Sequence, residues 1–470
     1  MTMLEKQPVR DHIFHELTRS LCPECHQVID AQILLRNGTV YMRKHCPEHG
    51  FHEALISSDT DWYLNSLKYN KPGAIPYDLA TATQRGCPDD CGLCPEHQQH
   101  TCIGIIEITE RCNLACPTCF ADAGQGRQLS VAQVGAMLDR LLETEGQPEV
   151  VQISGGEPTI HPHLFDILKA AQARDISYVM LNTNGLRLAQ EPDFARQLAR
   201  YQPAIYLQFD GLRASTHQAL RGRDLREIKQ RALDNMAEAG LYGVLVATVV
   251  RGVNEDEIGD IVRFGLQHPA VLGACFQPVT FAGRCLGHHD PMDRVTLPDV
   301  LHSLEAQSDG MFRVDDFRPV PCPHPTCSAS TYAFINGEQV IPLPRILDVD
   351  EYLDFVTNRT VPDLSADLQL VLEALWSMAA VMGTDTTTDN LTCVACDVNI
   401  PLNLSPELAQ EHFFLVHVHG FMDEHNFELK RLMKCCIHEL LPDGRAVPFC
   451  AYNNLGYRPD RSLRPVRSRR

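Results

Sequence analysis

The stretch Glu110–Gly124, ERCNLACPTCFADAG, places Cys112, Cys116 and Cys119 directly behind a short apolar run, IIEIT at 105–109. The spacing is CxxxCxxC. Three closely spaced thiolates can hold three irons of a [4Fe–4S] cluster. No fourth cysteine stands at a matching offset. One iron would therefore stay open, as catalytic metal sites keep a position open, and an open iron can bind a small chelating molecule.

Outward from this loop the chain alternates strands and helices. EVVQIS (149–154), SYVMLNTNG (177–185), AIYLQFDG (204–211), LYGVLVATVV (241–250) and AVLGACFQPV (270–279) read as strands. Between them lie helical patterns, the first capped by Ser130 and the fourth stopped by Gly240. Six βα repeats predict an α/β fold with a parallel sheet, open or curled into a partial barrel. The site of such folds lies at the carboxyl ends of the strands, where the cysteine loop falls.

The cysteine triplet, together with Gly155, Gly156, Glu157 and Pro158 directly after the second strand, resembles the radical S-adenosylmethionine (SAM) superfamily over about residues 105–285. The resemblance implies a partial (βα)6 TIM-type barrel. It implies that Cys112, Cys116 and Cys119 ligate a catalytic [4Fe–4S] cluster whose open iron is chelated by SAM. It further implies that Gly155, Gly156 and Glu157 meet the SAM amino group through backbone oxygens, glycine allowing close approach. The reduced cluster would cleave SAM to a 5′-deoxyadenosyl radical that abstracts hydrogen from an unactivated carbon. The family often has an aromatic directly before the third cysteine; here that residue is Thr118, which leaves Phe120 as the candidate adenine contact. Asn184, Gln208 and Asp210, with Asn182, Thr183 and Gly185, occupy positions resembling ribose and methionine contacts. Turn chemistry explains an Asn-Gly pair equally well.

The chain has 470 residues, 44 % hydrophobic, with a formal charge of −19. That composition supports a large core and argues against a disordered chain. The acidic balance argues against nucleic acid as a partner. No apolar run is long enough to span a membrane and the start lacks the apolar stretch of a secretory signal, so a cytoplasmic location is expected. Nineteen cysteines in a reducing compartment point to metal sites before disulfides.

Four regions follow: a cysteine-rich metal-binding module at 1–80, rubredoxin- or zinc-like; an auxiliary iron–sulfur segment at 81–104; the radical SAM core at 105–285; and a C-terminal region at 286–470 with a further [4Fe–4S] site and a basic tail. In the first, Cys22, Cys25 and Cys46 flank a hairpin pattern with an Asn-Gly turn. The fourth ligand is His49, His26 or another cysteine, and the metal is zinc or mononuclear iron. In the second, Cys87, Cys91, Cys94 and Cys102 complete a four-thiolate set, an iron–sulfur cluster or a structural zinc. In the last, four of Cys322, Cys327, Cys435, Cys436 and Cys450 could close another cluster; Cys322, Cys327, Cys436 and Cys450 are favoured, the choice between Cys435 and Cys436 being nearly even. Cys393 and Cys396 form a spare CxxC, a ligand or redox pair. Cys275 reads as core and Cys285 is undecided. His417, His419 and His425 read as structural histidines rather than ligands. LSADLQLVLEALWSMAAVM (364–382) is an amphipathic helix. The arginines from Arg458 to Arg470 form a solvated tail, with peripheral contact to anionic lipid headgroups as the alternative.

The arrangement CPEC, CPEHG, GCPDDCGLC, CNLACPTCFA, PCPHPTC and CIHELLPDGRAVPFCAYN spans most of the chain. It is similar to the archaeal tetraether lipid synthase subgroup and its bacterial relatives. That group carries auxiliary [4Fe–4S] clusters and a rubredoxin-like iron, and couples lipid chains through their terminal carbons. Members are also described as methyltransferases acting on a reduced pterin. The expected substrate is thus a lipid or a small molecule, and the expected reductant a flavodoxin or ferredoxin. An apolar tunnel would favour the lipid; a small polar pocket with carboxylates would favour the pterin. The reading of a different class, a zinc-rich scaffold without activity, is opposed by the three-cysteine site and the Gly-Gly-Glu-Pro turn.

Overall fold

A computed structural model of the chain describes residues 10–285, 290–337, 339–345, 349–350, 390–393, 398–401 and 412–458. The amphipathic pattern at 364–382, Cys396 and the arginines beyond Arg458 lie outside the described residues.

The chain starts as a four-stranded antiparallel sheet, β1 (Ile13–Leu21), β2 (Val28–Arg36), β3 (Thr39–Cys46) and β4 (Gly50–Ser57). Asn37 (φ 53°) and Gly38 (φ 76°) make the tight turn between β2 and β3. Both residues sit in the left-handed region that a two-residue hairpin turn requires. A small core of Ala31, Ile33, Val40, Met42 and Tyr63 lies against α1 (Thr60–Ser66).

All six expected strands form. They are β5 (Ile103–Thr109), then, past the two-residue β6 (Thr118–Cys119), β7 (Val150–Gly155), β8 (Tyr178–Thr183), β9 (Ala204–Gln208), β10 (Gly243–Val249) and β11 (Val271–Pro278). They lie side by side in chain order, all parallel. The intervening helices include α2 (Val131–Glu145), α3 (Leu164–Gln172), α4 (Leu186–Gln190), α5 (Pro192–Leu198), α6 (Ala214–Arg221), α7 (Arg226–Ala239) and α8 (Ile258–Gln267). The Ser130 hydroxyl accepts from the Gln133 N–H while the Gln133 side chain returns to the Ser130 N–H, a capping box. Gly240 ends α7 at φ 69°. The main core packs Val134, Leu138 and Leu141 of α2, Ile167 and Leu168 of α3 and Leu233 and Met236 of α7 onto buried strand residues such as Ile106, Val151 and Leu245.

The C-terminal region extends this sheet at both edges. After the short β12 (Arg284–Cys285) and α9 (Leu297–Gln307), β13 (Ser328–Asn336) and β14 (Gln339–Pro342) form an antiparallel pair. A separate small pair, β15 (Asn390–Cys393) and β16 (Val398–Pro401), follows. β17 (Phe413–His419) then runs parallel to β11 and carries β13 on its other side. After α10 (Leu429–Met433), β18 (Ile437–Leu440) runs parallel to β5 and pairs with β19 (Ala446–Pro448), followed by α11 (Phe449–Asn454). Alternate residues of eight strands, from Ile437 and Glu439 through Ile105 and Glu107 to His417 and His419, line one cavity. The sheet is therefore curled, since side chains two apart share a face and these faces converge. No helix among the described residues is long and apolar enough to cross a membrane.

Candidate active site

The cavity measures about 320 Å³, within the usual range for a small-molecule site. Cys112, Cys116 and Cys119 all line it, on the loop leaving β5. Each sulfur has a donor. The Leu114 N–H reaches Cys112 Sγ at 3.4 Å, the Ala123 N–H reaches Cys119 Sγ at 3.4 Å, and the Arg221 guanidinium faces Cys116. Burial pushes the Cys112 thiol up to about 11 and raises Cys116, where Arg221 opposes it. Donors to sulfur beside an open cavity suit cluster thiolates, which hydrogen bonding tunes. The residues present thus fit a three-cysteine cluster.

The loop is held by residues far away in sequence. Arg284 on β12 donates to the Cys116 carbonyl (2.8 Å) and the Ala123 carbonyl (3.1 Å), and pairs with Asp122. Arg221, at the end of α6, donates to the Thr118 carbonyl at 3.0 Å. Neither arginine was identifiable from the sequence, because no local motif marks it.

The Gly-Gly-Glu-Pro turn also lines the cavity. Both glycines are crowded by the protein's own backbone. A Cβ on Gly155 (φ +125°) would lie 2.2 Å from the Thr109 carbonyl oxygen, and one on Gly156 2.3 Å from the Arg111 oxygen. The turn is stitched to the cysteine loop by N–H bonds from Gly156 to Thr109 (2.7 Å) and from Glu157 to Arg111 (2.9 Å). Glu157 is 1 % exposed, and its carboxylate is spent internally. Oε1 accepts from the Thr159 N–H and hydroxyl and from the Thr183 hydroxyl, and Oε2 accepts from the Asn184 N–H at 2.7 Å. Its side chain clamps the ends of β7 and β8 together.

Phe120, Asn184 and Gln208 line the cavity as expected. Phe120 stacks on Phe449, with ring centroids 5.0 Å apart, and Phe421 packs on both. The Lys229 ammonium, its pKa brought down to about 8 by burial, donates to the Asn184 carbonyl and to Gln208 Oε1. Asp210 departs from the expectation. It is not among the lining residues, and both its oxygens take 2.6 Å bonds from Arg221. Its reach to the site is through Arg221.

The auxiliary cysteines are redistributed. Cys87, Cys91 and Cys94 stay together, but Cys102 does not complete their set; the residue beside Cys91 is Cys435. Cys102 starts β5, where its N–H bonds the Cys436 carbonyl (2.9 Å), and it is disulfide-bonded to Cys322, their Cα atoms 7.5 Å apart. His100 lies against this pair, its ring and the two sulfurs within 4.8 Å of one another, and His100 Nδ1 faces Glu145 at 3.1 Å; the two cysteines could ligate a metal only as reduced thiolates. Cys322 packs with Cys102 and Cys436 in one buried cluster. Cys327, Cys435, Cys436 and Cys450 line a small cavity, the adjacent pair both among them.

At the N-terminal module Cys22, Cys25, Cys46 and His49 bring their ligand atoms within 4.8 Å. His49 is thus the fourth member, while His26 bonds Glu424 at 3.1 Å. The Cys46 thiol is brought down to about 7: burial pushes it up, but the His49 ring and the N–H groups of Glu48 and His49 outweigh that. Three thiolates and one imidazole match a tetrahedral zinc site. Cys46→Ser is expected to release one metal equivalent per chain without loss of iron from the barrel, read by elemental analysis of the purified protein.

Cys275 is buried with Tyr206 Oη 2.9 Å from its sulfur, and Cys285 pairs with Thr118 in the β6–β12 bridge. His417 and His419 line the cavity and stack on each other. Arg458 is no part of a solvated tail: it is 6 % exposed and paired with Glu107 inside the barrel.

Comparison with known proteins places these features. The profile of the radical SAM superfamily matches residues 106–265, and that of the HMPTM N-terminal zinc ribbon domain matches residues 14–58. The chain is 33 % identical to the 7,8-dihydro-6-hydroxymethylpterin dimethyltransferase of Methanocaldococcus jannaschii, over 93 % of each chain. It is 31 % identical to the mycofactocin maturase MftC of Mycolicibacterium smegmatis, over 35 % of this chain and 42 % of that one. Among solved structures, SuiB of Streptococcus suis bound to SAM aligns with a TM-score of 0.37 and 18 % identity, over 45 % of this chain and 47 % of that one.

Proposed function

This chain belongs to the radical SAM superfamily and is an iron–sulfur enzyme, and from that premise we propose that it methylates a reduced pterin. The observation that carries the reading is the wall of the cavity. Around the cysteine loop stand three carboxyl groups, Glu107, Glu157 and Glu439, and the polar side chains of Gln152, Ser154, Asn182 and Gln277. A small heteroaromatic ring with donors and acceptors on its rim suits such a wall, whereas a hydrocarbon chain leaves Asn182 Oδ1 and Glu439 Oε1, which have no hydrogen-bond partner among the described residues, unpaired at ~1–3 kcal/mol each. The end-to-end likeness to a pterin dimethyltransferase supports the same substrate class. Lipid-chain coupling finds no comparable support, since the lining is not a continuous apolar wall.

When bound, the reduced cluster and SAM supply a radical able to take hydrogen from carbon. The protein's own residues supply the rest. Cys112, Cys116 and Cys119 hold the cluster, and Glu157 fixes the turn that would meet SAM. Phe120 offers an aromatic face for adenine. Auxiliary clusters at the Cys87 to Cys94 and Cys327 to Cys450 groups and a flavodoxin- or ferredoxin-type electron donor complete the proposal.

The test is anaerobic turnover of the iron- and sulfide-reconstituted enzyme with SAM and reductant. One tube receives 6-hydroxymethyl-7,8-dihydropterin and another a long-chain lipid. Stimulation of 5′-deoxyadenosine formation in the first tube alone is the expected result; the SAM cleaved this way leaves its methyl on methionine, so methylated pterin is expected only where a second SAM or another one-carbon donor supplies the methyl group. Stimulation by the lipid alone overturns the pterin reading.

A further inference from the structure

Among the described residues, three side chains on the cavity wall keep a buried polar atom without a hydrogen-bond partner: Asn182 (Oδ1), Arg458 (Nε) and Glu439 (Oε1). Glu439 is the carboxyl among them. It sits on β18, directly beside β5, with its Cα paired to Ile105, and it is 1 % exposed. Arg458 pairs with Glu107 and donates to Asn453 Oδ1 at 2.7 Å, and the Tyr452 hydroxyl donates to Glu107 at 3.1 Å. Glu107 is therefore matched by hydrogen bonds, whereas Glu439 has only the field of Arg458 to oppose its burial.

A buried carboxyl without a partner is costly, and such a cost persists where a ligand later satisfies the group. A pterin's pyrimidine rim carries a 2-amino group flanked by N1, an acceptor, and N3–H, a donor. A carboxylate accepts from the 2-amino group and N3–H together. A neutral carboxylic acid donates to N1 and accepts from the 2-amino group. The carboxylate is the form that tells the two rings apart, because it needs two adjacent donors and a 2-oxo group offers none; the 2-amino group and N3–H of a bound pterin favour that form. Burial, and then the neighbouring Glu107, push the Glu439 pKa up, which favours the neutral form in the empty cavity.

We infer that Glu439 recognises the 2-amino edge of the reduced pterin and so sets which ring positions face the cysteine loop. This rests on the pterin reading above and adds to it the residue that selects a 2-amino ring.

The experiment compares equilibrium binding of 6-hydroxymethyl-7,8-dihydropterin and its 2-oxo counterpart, 6-hydroxymethyl-7,8-dihydrolumazine. Both are titrated into the full-length, cluster-loaded enzyme with SAM present. The parent enzyme is expected to prefer the pterin by ~100-fold or more, because a site built around a hydrogen-bonding group rejects an analogue that lacks it. Glu439→Met is expected to lose that preference, with the two affinities within about threefold of each other. Glu439→Gln can pair with either rim, donating to N1 of the pterin or to the 2-oxo group of the lumazine, and is expected to bind both rings within about threefold of each other while binding the pterin more tightly than Glu439→Met does. An unchanged preference in the Glu439→Met enzyme overturns the assignment and leaves the pterin reading standing. So does a parent enzyme that binds both rings equally well, an outcome that does not depend on how any variant folds. A parent enzyme that binds neither ring removes the pterin reading itself, and the assignment with it.

Discussion

Replacing Cys116 with alanine is expected to end 5′-deoxyadenosine formation from SAM, to the level of a control without enzyme. The three cavity-lining cysteines leave no spare thiol: among the described residues no other cysteine lines the cavity. Cys116 is also the one whose sulfur is met by a guanidinium, that of Arg221. Its loss therefore removes a ligand and leaves the Arg221 charge facing an empty position. The metals elsewhere are expected to remain, since the Cys22 site and the Cys327 to Cys450 group are built from other segments. Mass spectrometry of the nucleoside, with iron and zinc content of the same sample, reads both halves. Continued 5′-deoxyadenosine production by this variant would falsify the cluster assignment. Loss of all metals together would show a general folding defect, and Cys112→Ala would then carry the test.

The second large effect is on stability. Arg221→Met is expected to destabilise the protein by ~3–5 kcal/mol, the range for breaking a fully buried ion pair. Asp210 is 0 % exposed and accepts two bonds of 2.6 Å from Arg221, so the variant strands a carboxylate that the interior cannot solvate. Of the remaining partners of Asp210, the Thr248 N–H at 3.1 Å is neutral, and the Lys229 ammonium acts on it only through its field, its hydrogen bonds going to Asn184 and Gln208. The same change frees the Thr118 carbonyl, so the cysteine loop is expected to hold its cluster less firmly. Adding Asp210→Asn to the variant removes the stranded charge and is expected to return part of the lost stability. The midpoint of chemical unfolding in single and double variants measures this coupling. A single variant within about 1 kcal/mol of the parent would show that the pair carries little, as exposed pairs do.

What the chain declares by itself is local. The cysteine triplet, the Gly-Gly-Glu-Pro turn, the Ser130 cap, the Gly240 stop and the Asn37–Gly38 turn all act within a few residues. Backbone geometry at that range follows from residue type. The six βα units were legible for the same reason, as hydrophobic periodicity is a property of each segment alone. At the turn the structure adds a cause that no local pattern carries: the Thr109 and Arg111 carbonyls leave no room for a Cβ at Gly155 or Gly156.

Tertiary structure decided the allotment of the outlying cysteines and the polar wall of the barrel. Cys102 lies eight residues from Cys94, yet its partner Cys322 is 220 residues away. Arg458 meets Glu107 across 351 residues, and Glu439 enters the site because β18 is added beside β5. Which segment fills a sheet edge depends on the burial of whole surfaces, and no spacing within a motif encodes that. Local spacing therefore announced the cluster loop, while the residues that face the substrate were set by which distant strands came to lie beside it.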